Sequence, residues 1–268
     1  MAEPCNRQLH HHQVFVTRGT MYSPVSDGMA RITGSVHYAE AAPPETLAEV
    51  VHCFWELKTE KPLREDFLYH ALPDACVNLL LNQRDTRIAG VTALRTRAEV
   101  LNLGRHFHYV GVQLFPGTWR GDPSEIHDRY VGTPYRGALP LVSVSERISG
   151  LTFESQRPHL ADLVQWCASR RLVVPDPAIT LILSHLDHIR SVGDMAALVG
   201  KSTRQLQRSL RTATGLSPHD LLKILRLQQS FRRHHLDVFS DQPRYIHAFR
   251  NATGYSPTKH RARFNVRF

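Results

Sequence analysis

The chain predicts a two-part α+β protein: a β-rich N-terminal domain with a helical extension, followed by an all-α C-terminal domain. Three observations predict it. Short β-branched or aromatic runs separated by Gly, Pro and Asp fill the first part. Apolar residues then recur at helical spacing. The excess positive charge is confined to the last third. At 268 residues, 42% hydrophobic and 21% charged, the chain has the composition of a soluble globular protein long enough for two cores.

Within roughly residues 14–117, Val50-Val51-His52-Cys53-Phe54-Trp55, Val77-Asn78-Leu79-Leu80-Leu81 and Tyr109-Val110-Gly111-Val112-Gln113-Leu114-Phe115 predict strands of a barrel or sandwich. After Pro116-Gly117 the pattern turns helical. It is clearest at Leu160, Leu163, Val164 and Cys167, spaced i, i+3, i+4 and i+7. The expected divisions are 1–117 for the β-rich domain, 118–174 for its helical bridge and 178–268 for the C-terminal domain. Val173-Val174-Pro175-Asp176-Pro177 is the linker, with Asp176 placed to cap a helix starting at Pro177.

Beyond the linker, Ile179, Ile182, Leu183, Leu186 and Ile189 form one apolar stripe on a helix expected to end near Ser191. Asp194-Met195-Ala196-Ala197-Leu198-Val199, then Gly200, then Ser202 capping a helix with Leu206 and Leu210 inward, predict a helix-turn-helix. Ala196 and Ala197 are small enough for close crossing, and Arg204, Gln207, Arg208 and Arg211 fall on outward positions.

Charge supports a polyanion-binding end. Residues 181–268 hold 15 of the 33 Lys+Arg and 5 of the 24 Asp+Glu, a balance of +10 against −1 elsewhere. No run of about 18 apolar residues predicts a membrane span, and residues 1–12 lack the apolar stretch of a secretory signal, so a cytoplasmic location is expected. Cys5, Cys53, Cys76 and Cys167 form no CxxC pair and are expected as buried or free thiols.

The most specific signal is a repeat. Ala213-Thr214-Gly215-Leu216-Ser217-Pro218 returns 39 residues later as Ala252-Thr253-Gly254-Tyr255-Ser256-Pro257. The same offset pairs Leu206 with Tyr245, Leu210 with Phe249 and Arg211 with Arg250. A duplicated helix, glycine stop and Ser-Pro helix start are predicted.

With this repeat, and with Leu225-Arg226-Leu227-Gln228 and Phe239-Ser240-Asp241-Gln242 beside it, residues 178–264 resemble the AraC family of bacterial transcription regulators. That resemblance implies tandem helix-turn-helix units joined by a linker helix. Cys53-Phe54-Trp55, Leu72-Pro73-Asp74-Ala75-Cys76-Val77 and Gly111-Val112-Gln113-Leu114-Phe115-Pro116-Gly117 are similar to a cupin-like barrel found ahead of such modules. One departure stands out. Ten residues separate Gln228 from Phe239, too few both to finish the linker helix and to build the family's scaffold helix, so the second unit is expected to be truncated.

The resemblance implies double-stranded DNA as partner. Arg204, Gln207, Arg208, Gln242, Arg244 and His247 are the implied base-contacting residues, since Arg can fork onto guanine and Gln onto adenine. Lys201, Ser202, Thr203, Arg211 and Arg250 are the implied phosphate contacts. It also implies a small-molecule effector in the barrel or homodimerisation through it, and RNA polymerase as a contact if the protein activates. No cofactor, metal or membrane partner is expected.

Two other readings compete. His106-Phe107-His108 places two imidazoles on one strand face, as a metal-dependent barrel enzyme would require. No Glu follows at a cupin metal spacing and no third ligand is evident, so core or rim histidines are preferred. His10-His11-His12 and His234-His235 are expected to be solvated. No Gly-rich phosphate loop or GxSxG is present, and a non-enzymatic role is expected. The other reading is a regulator whose truncated module no longer binds DNA.

Overall fold

The computed structural model describes residues 22–24, 35–92, 94–126, 133–231 and 235–263. Among the described residues seven strands form in the N-terminal part: β1 (Val36–Ala41), β2 (Val51–Thr59), β3 (Leu68–Ala71), β4 (Val77–Asn82), β5 (Ala89–Val91), β6 (Glu99–Asn102) and β7 (His108–Leu114). They pair antiparallel throughout, as a five-stranded sheet of order β1-β2-β7-β4-β5 and a two-stranded sheet β3-β6. The three predicted strands are β2, β4 and β7, the adjacent central strands of the larger sheet. β1, β3, β5 and β6 lack so distinct an apolar signature; β6 alternates with exposed positions and β3 is exposed at its start.

Alternation along the strands sorts side chains into two layers. Val77, Leu79 and Leu81 of β4 lie beside Leu114, Val112 and Val110 of β7, all fully buried or nearly so. They pack on two helices, α1 (Leu141–Arg147) and α2 (Phe153–Ser169), through Leu141, Val144, Leu160, Leu163, Val164 and Cys167. The predicted i, i+3, i+4, i+7 stripe is thus the buried face of α2. The other face of the sheet carries Trp55, Leu57, Leu80 and Tyr109 towards Tyr69 and Leu101 of the β3-β6 pair.

The C-terminal part is helical: α3 (Pro177–Ser184), α4 (Val192–Leu198), α5 (Thr203–Thr214), α6 (Pro218–Ser230), α7 (His235–Val238), α8 (Gln242–Thr253) and α9 (Pro257–Arg263). Asp176 caps α3 by accepting from the Ala178 and Ile179 amides, with Pro177 in the first turn. The helix expected to reach Ser191 breaks at His185 instead. There the Ser184 hydroxyl and the His185 ring both lie on the Leu181 carbonyl, at 3.0 and 3.1 Å, and a short 3-10 turn (Leu186–His188) follows. The apolar stripe survives the break, for Ile179, Ile182, Leu183, Leu186 and Ile189 are all buried.

The two parts share hydrophobic clusters across the predicted linker. Ala75, Cys76 and Phe115 join the core formed by α3 to α6, and Leu72 joins Leu227, Phe231, Tyr245 and Phe249. Gly117, at φ 69°, lies so close to Ile179 that a β-carbon there would collide with it. Polar contacts follow the same seam. Gln228 Nε2 donates to the Pro73 carbonyl at 2.8 Å, the Ala98 amide donates to the Ala252 carbonyl at 2.6 Å, and Arg120 pairs with Asp176 at 3.0 Å.

Candidate nucleic-acid interface

Helix α5 begins in a capping box: Ser202 Oγ accepts from the Gln205 amide at 3.3 Å, and Gln205 Oε1 accepts from the Ser202 amide at 2.9 Å. It buries Leu206, Leu210 and Thr214. It stops at Gly215, whose φ of 72° only glycine adopts at no cost, and the Thr214 hydroxyl donates to the Leu210 carbonyl while accepting from the Leu216 amide. The opposite stripe is Arg204, Gln207, Arg208 and Arg211, all exposed. Among the described residues the side chains of these four make no hydrogen bond or ion pair. Three uncompensated cations and an amide therefore line a stripe about 10 Å long, at about 1.5 Å per residue from Arg204 to Arg211, on a twelve-residue helix.

The flanking residues have more local tasks. Ser202 spends its hydroxyl on the cap, Thr203 is the exposed first residue of α5, and Lys201 Nζ donates to Ser209 Oγ at 3.0 Å. α4 packs on α5 and α6. Of the two alanines expected at that crossing only Ala196 is buried, and Ala197 faces solvent.

Helix α8 reproduces α5 residue for residue at the 39-residue offset. Asp241 caps it by accepting from the Arg244 amide, Tyr245, Phe249 and Thr253 are buried, and Gly254 stops it at φ 79°. Thr253 bonds to the Phe249 carbonyl and the Tyr255 amide as Thr214 does in the first copy. Since the buried rows coincide, the exposed rows must as well. The face equivalent to Arg204, Gln207, Arg208 and Arg211 is Pro243, Ile246, His247 and Arg250. Of the expected base-contacting trio, His247 lies on that face and bonds Asn251 at 2.9 Å. Gln242 is the exposed first residue of the helix. Arg244 turns back to Asp241 at 3.4 Å and Ser240 at 3.0 Å. The two helices thus present different chemistry, cationic on α5 and partly apolar on α8, where Ile246 is an exposed large hydrophobe.

The helix preceding α8 is the single turn α7, against seven residues in α4. Where Gly200 turns the chain at φ 63°, the second copy has Phe239, whose ring packs on Tyr245 at 5.5 Å. Leu72 and Ala98 of the N-terminal part pack in the same cluster as the α8 aromatics.

The two histidines considered as metal ligands serve separate partners. His108 Nε2 lies 2.9 Å from Glu56, and His106 Nδ1 lies 2.9 Å from the Thr59 hydroxyl. Glu56 is buried; burial alone would raise its pKa, but the bonds from His108 and Lys58 outweigh that and hold it below the usual carboxylate value. Among the described residues no group of three or more His, Cys, Asp or Glu converges as a metal site. Cys53, Cys76 and Cys167 are buried free thiols, and burial pushes each pKa up, away from the reactive thiolate. Cys5, His10, His11, His12, His234 and the His235 side chain lie outside the described residues. No described helix is long and apolar enough to cross a membrane.

Sequence reasoning missed the seam residues His70, Leu72, Ala98 and His260, and a cavity between the two sheets that Asp74 lines. Only the Leu72-Pro73-Asp74 turn carried any signal, as an apolar-acidic step before a strand.

A family model described as a domain of unknown function (DUF6597) matches residues 39–130, which run from within β1 past β7 and exclude α5 and α8. No curated protein and no solved structure matches the chain.

Proposed function

We propose that the protein is a sequence-specific, DNA-binding transcription regulator of the AraC type rather than an enzyme. In this reading α4 and α5 form a helix-turn-helix whose recognition helix is α5, and α7 and α8 form a shortened second unit on the far side of the linker helix α6. The N-terminal cupin-like barrel senses a ligand or dimerises. The supporting observation is the free cationic stripe of Arg204, Gln207, Arg208 and Arg211 on a capped, twelve-residue helix. Arg and Gln on such a helix suit the donor and acceptor pattern of the major groove. Lys201, Thr203, Arg211 and Arg250 suit phosphates flanking it. In the second unit, His247 and Ile246 suit a narrower role, with the apolar side chain available to a thymine methyl group.

Genomic fragments selected by the purified protein, followed by gel shifts across a salt series, test the reading. Affinity is expected to fall steeply with salt, as displaced counterions require. Arg208→Ala should weaken binding by about 1–3 kcal/mol, more on the selected fragment than on random DNA. Equal losses on both would make Arg208 a phosphate contact. Absence of any DNA binding by the intact chain would leave the truncated-module reading in its place.

A further inference from the structure

Between the two sheets lies a cavity of about 90 Å3. At about 10–15 Å3 per water-sized position, it has room for roughly six to nine non-hydrogen atoms. Its walls are largely apolar and include four aromatic side chains, Tyr38, Trp55 and Tyr109 from the larger sheet and Tyr69 from the smaller. The Trp55 ring is fixed in place. Its Nε1 donates to Asn78 Oδ1 at 3.0 Å, and its ring lies on Gly111, where any β-carbon would collide with it.

Asp74, in the turn between β3 and β4, lines the cavity. Its Oδ1 accepts from the Cys76 amide at 2.9 Å and its Oδ2 from Gln113 Nε2 at 2.7 Å, both uncharged donors. His52 Nδ1, 2.7 Å from Gln113 Oε1, orients that amide. Among the described residues no cation lies within ion-pair distance of Asp74. Arg95 also lines the cavity, but its guanidinium is held by Glu99 at 2.6 Å and reaches Asp74 only through its longer-range field. Burial raises the Asp74 pKa to about 6, so the group is charged at neutral pH and costly without a counter-charge. A carboxylate lacking a close cation, lining a cavity that also holds four aromatic side chains, is suited to a positive guest, because ring faces carry the negative end of the aromatic quadrupole.

We propose that this cavity binds a small organic cation, with its ammonium group on the Asp74 carboxylate and its apolar body among Trp55, Tyr38, Tyr69 and Tyr109. This names a ligand class for the sensing half of the regulator reading and rests on it for its biological meaning. The site itself is present whether or not the chain binds DNA.

The test is therefore done without DNA, on the full chain, by calorimetry and tryptophan fluorescence with three probes of one shape: benzylamine, benzyl alcohol and benzoate. Benzylamine is expected to bind saturably, at least about tenfold more tightly than benzyl alcohol, with benzoate weakest. Asp74→Asn, which keeps the acceptor for the Cys76 amide, should erase the preference for the amine. Trp55→Phe should weaken the amine while leaving its preference over the alcohol. Equal affinity for the alcohol, tighter binding of benzoate, no saturable amine binding, or a preference surviving in Asp74→Asn would each overturn the proposal. A chain that binds the amine but no DNA would sink the regulator reading alone. One that binds DNA but no amine would sink only this proposal.

Discussion

At Gly111 the absence of a side chain decides where a neighbour can lie. Strand β7 runs between β2 and β4, and Gly111 faces both Trp55 and Leu80 in register. A β-carbon there would collide with the Trp55 ring and approach the Leu79 carbonyl to 2.8 Å. Gly111→Ala is expected to destabilise the protein by about 1–3 kcal/mol, as overpacking of a dense core does, and to change the tryptophan emission as the indole is driven from its seat. A urea midpoint and an emission spectrum identical to the parent would show that the ring has room to shift. The strand around Gly111 was legible from its β-branched run. The role of the glycine was not, since it depends on a ring contributed by a residue 56 positions earlier.

Among the elements, α5 and α8 share one design in different settings. α5 packs on a seven-residue helix and on α6, within a cluster drawn mostly from its own region. α8 has only the single turn α7 before it, and its aromatic residues complete their packing on Leu72. Leu72→Ala removes a buried side chain from that cluster and should cost about 2–5 kcal/mol locally. Amide hydrogen exchange is the suitable measurement. Exchange in α8 should quicken while α5 stays protected, and equal acceleration in both would show that α8 does not depend on this contact. The caps, the glycine stops and the repeat itself were legible because they are set within a dozen residues of chain. The ten-residue gap between Gln228 and Phe239 was legible too. The contact of Leu72 with the α8 aromatics was not.

For the whole molecule, the seam between sheet and helices carries a buried pair of imidazoles. His70 Nδ1 and His260 Nε2 lie 3.0 Å apart, with Tyr255 and Phe249 edge-on around them and Arg263 acting on His70. Burial lowers both pKa values to about 4, helped by Arg263 at His70 and by the partner ring at His260, while a hydrogen bond to the Thr253 backbone pulls His70 the other way. Both rings are therefore neutral in the docked state, and the unfolded chain takes up protons first. Their contribution is intact above about pH 6.5 and is lost as pH falls towards about 4. Asp74 acts in the opposite sense over part of this range, because its raised pKa favours the folded state as it takes up a proton below about pH 6. Comparison with His260→Gln separates the two. Between pH 7 and 4.5 the parent should lose roughly 2–3 kcal/mol more stability than the variant, measured by urea unfolding. Parallel pH profiles would mean that the pair does not govern acid sensitivity.

From its residues alone the chain determined the order of strands and helices in outline, the buried stripes of α2, α3 and α5, and a duplicated helix with its cap and stop. These depend on periodicity and on hydrogen bonds between near neighbours, which composition and spacing carry directly. Only the tertiary structure decided that the β3–β4 turn packs on the second helical unit and that Asp74 lines a cavity between sheets. Those outcomes rest on contacts such as Pro73 with Gln228 and His70 with His260, across 155 and 190 residues. Which distant surfaces meet depends on the volumes and polar groups left over after each element has formed, and no local pattern encodes that.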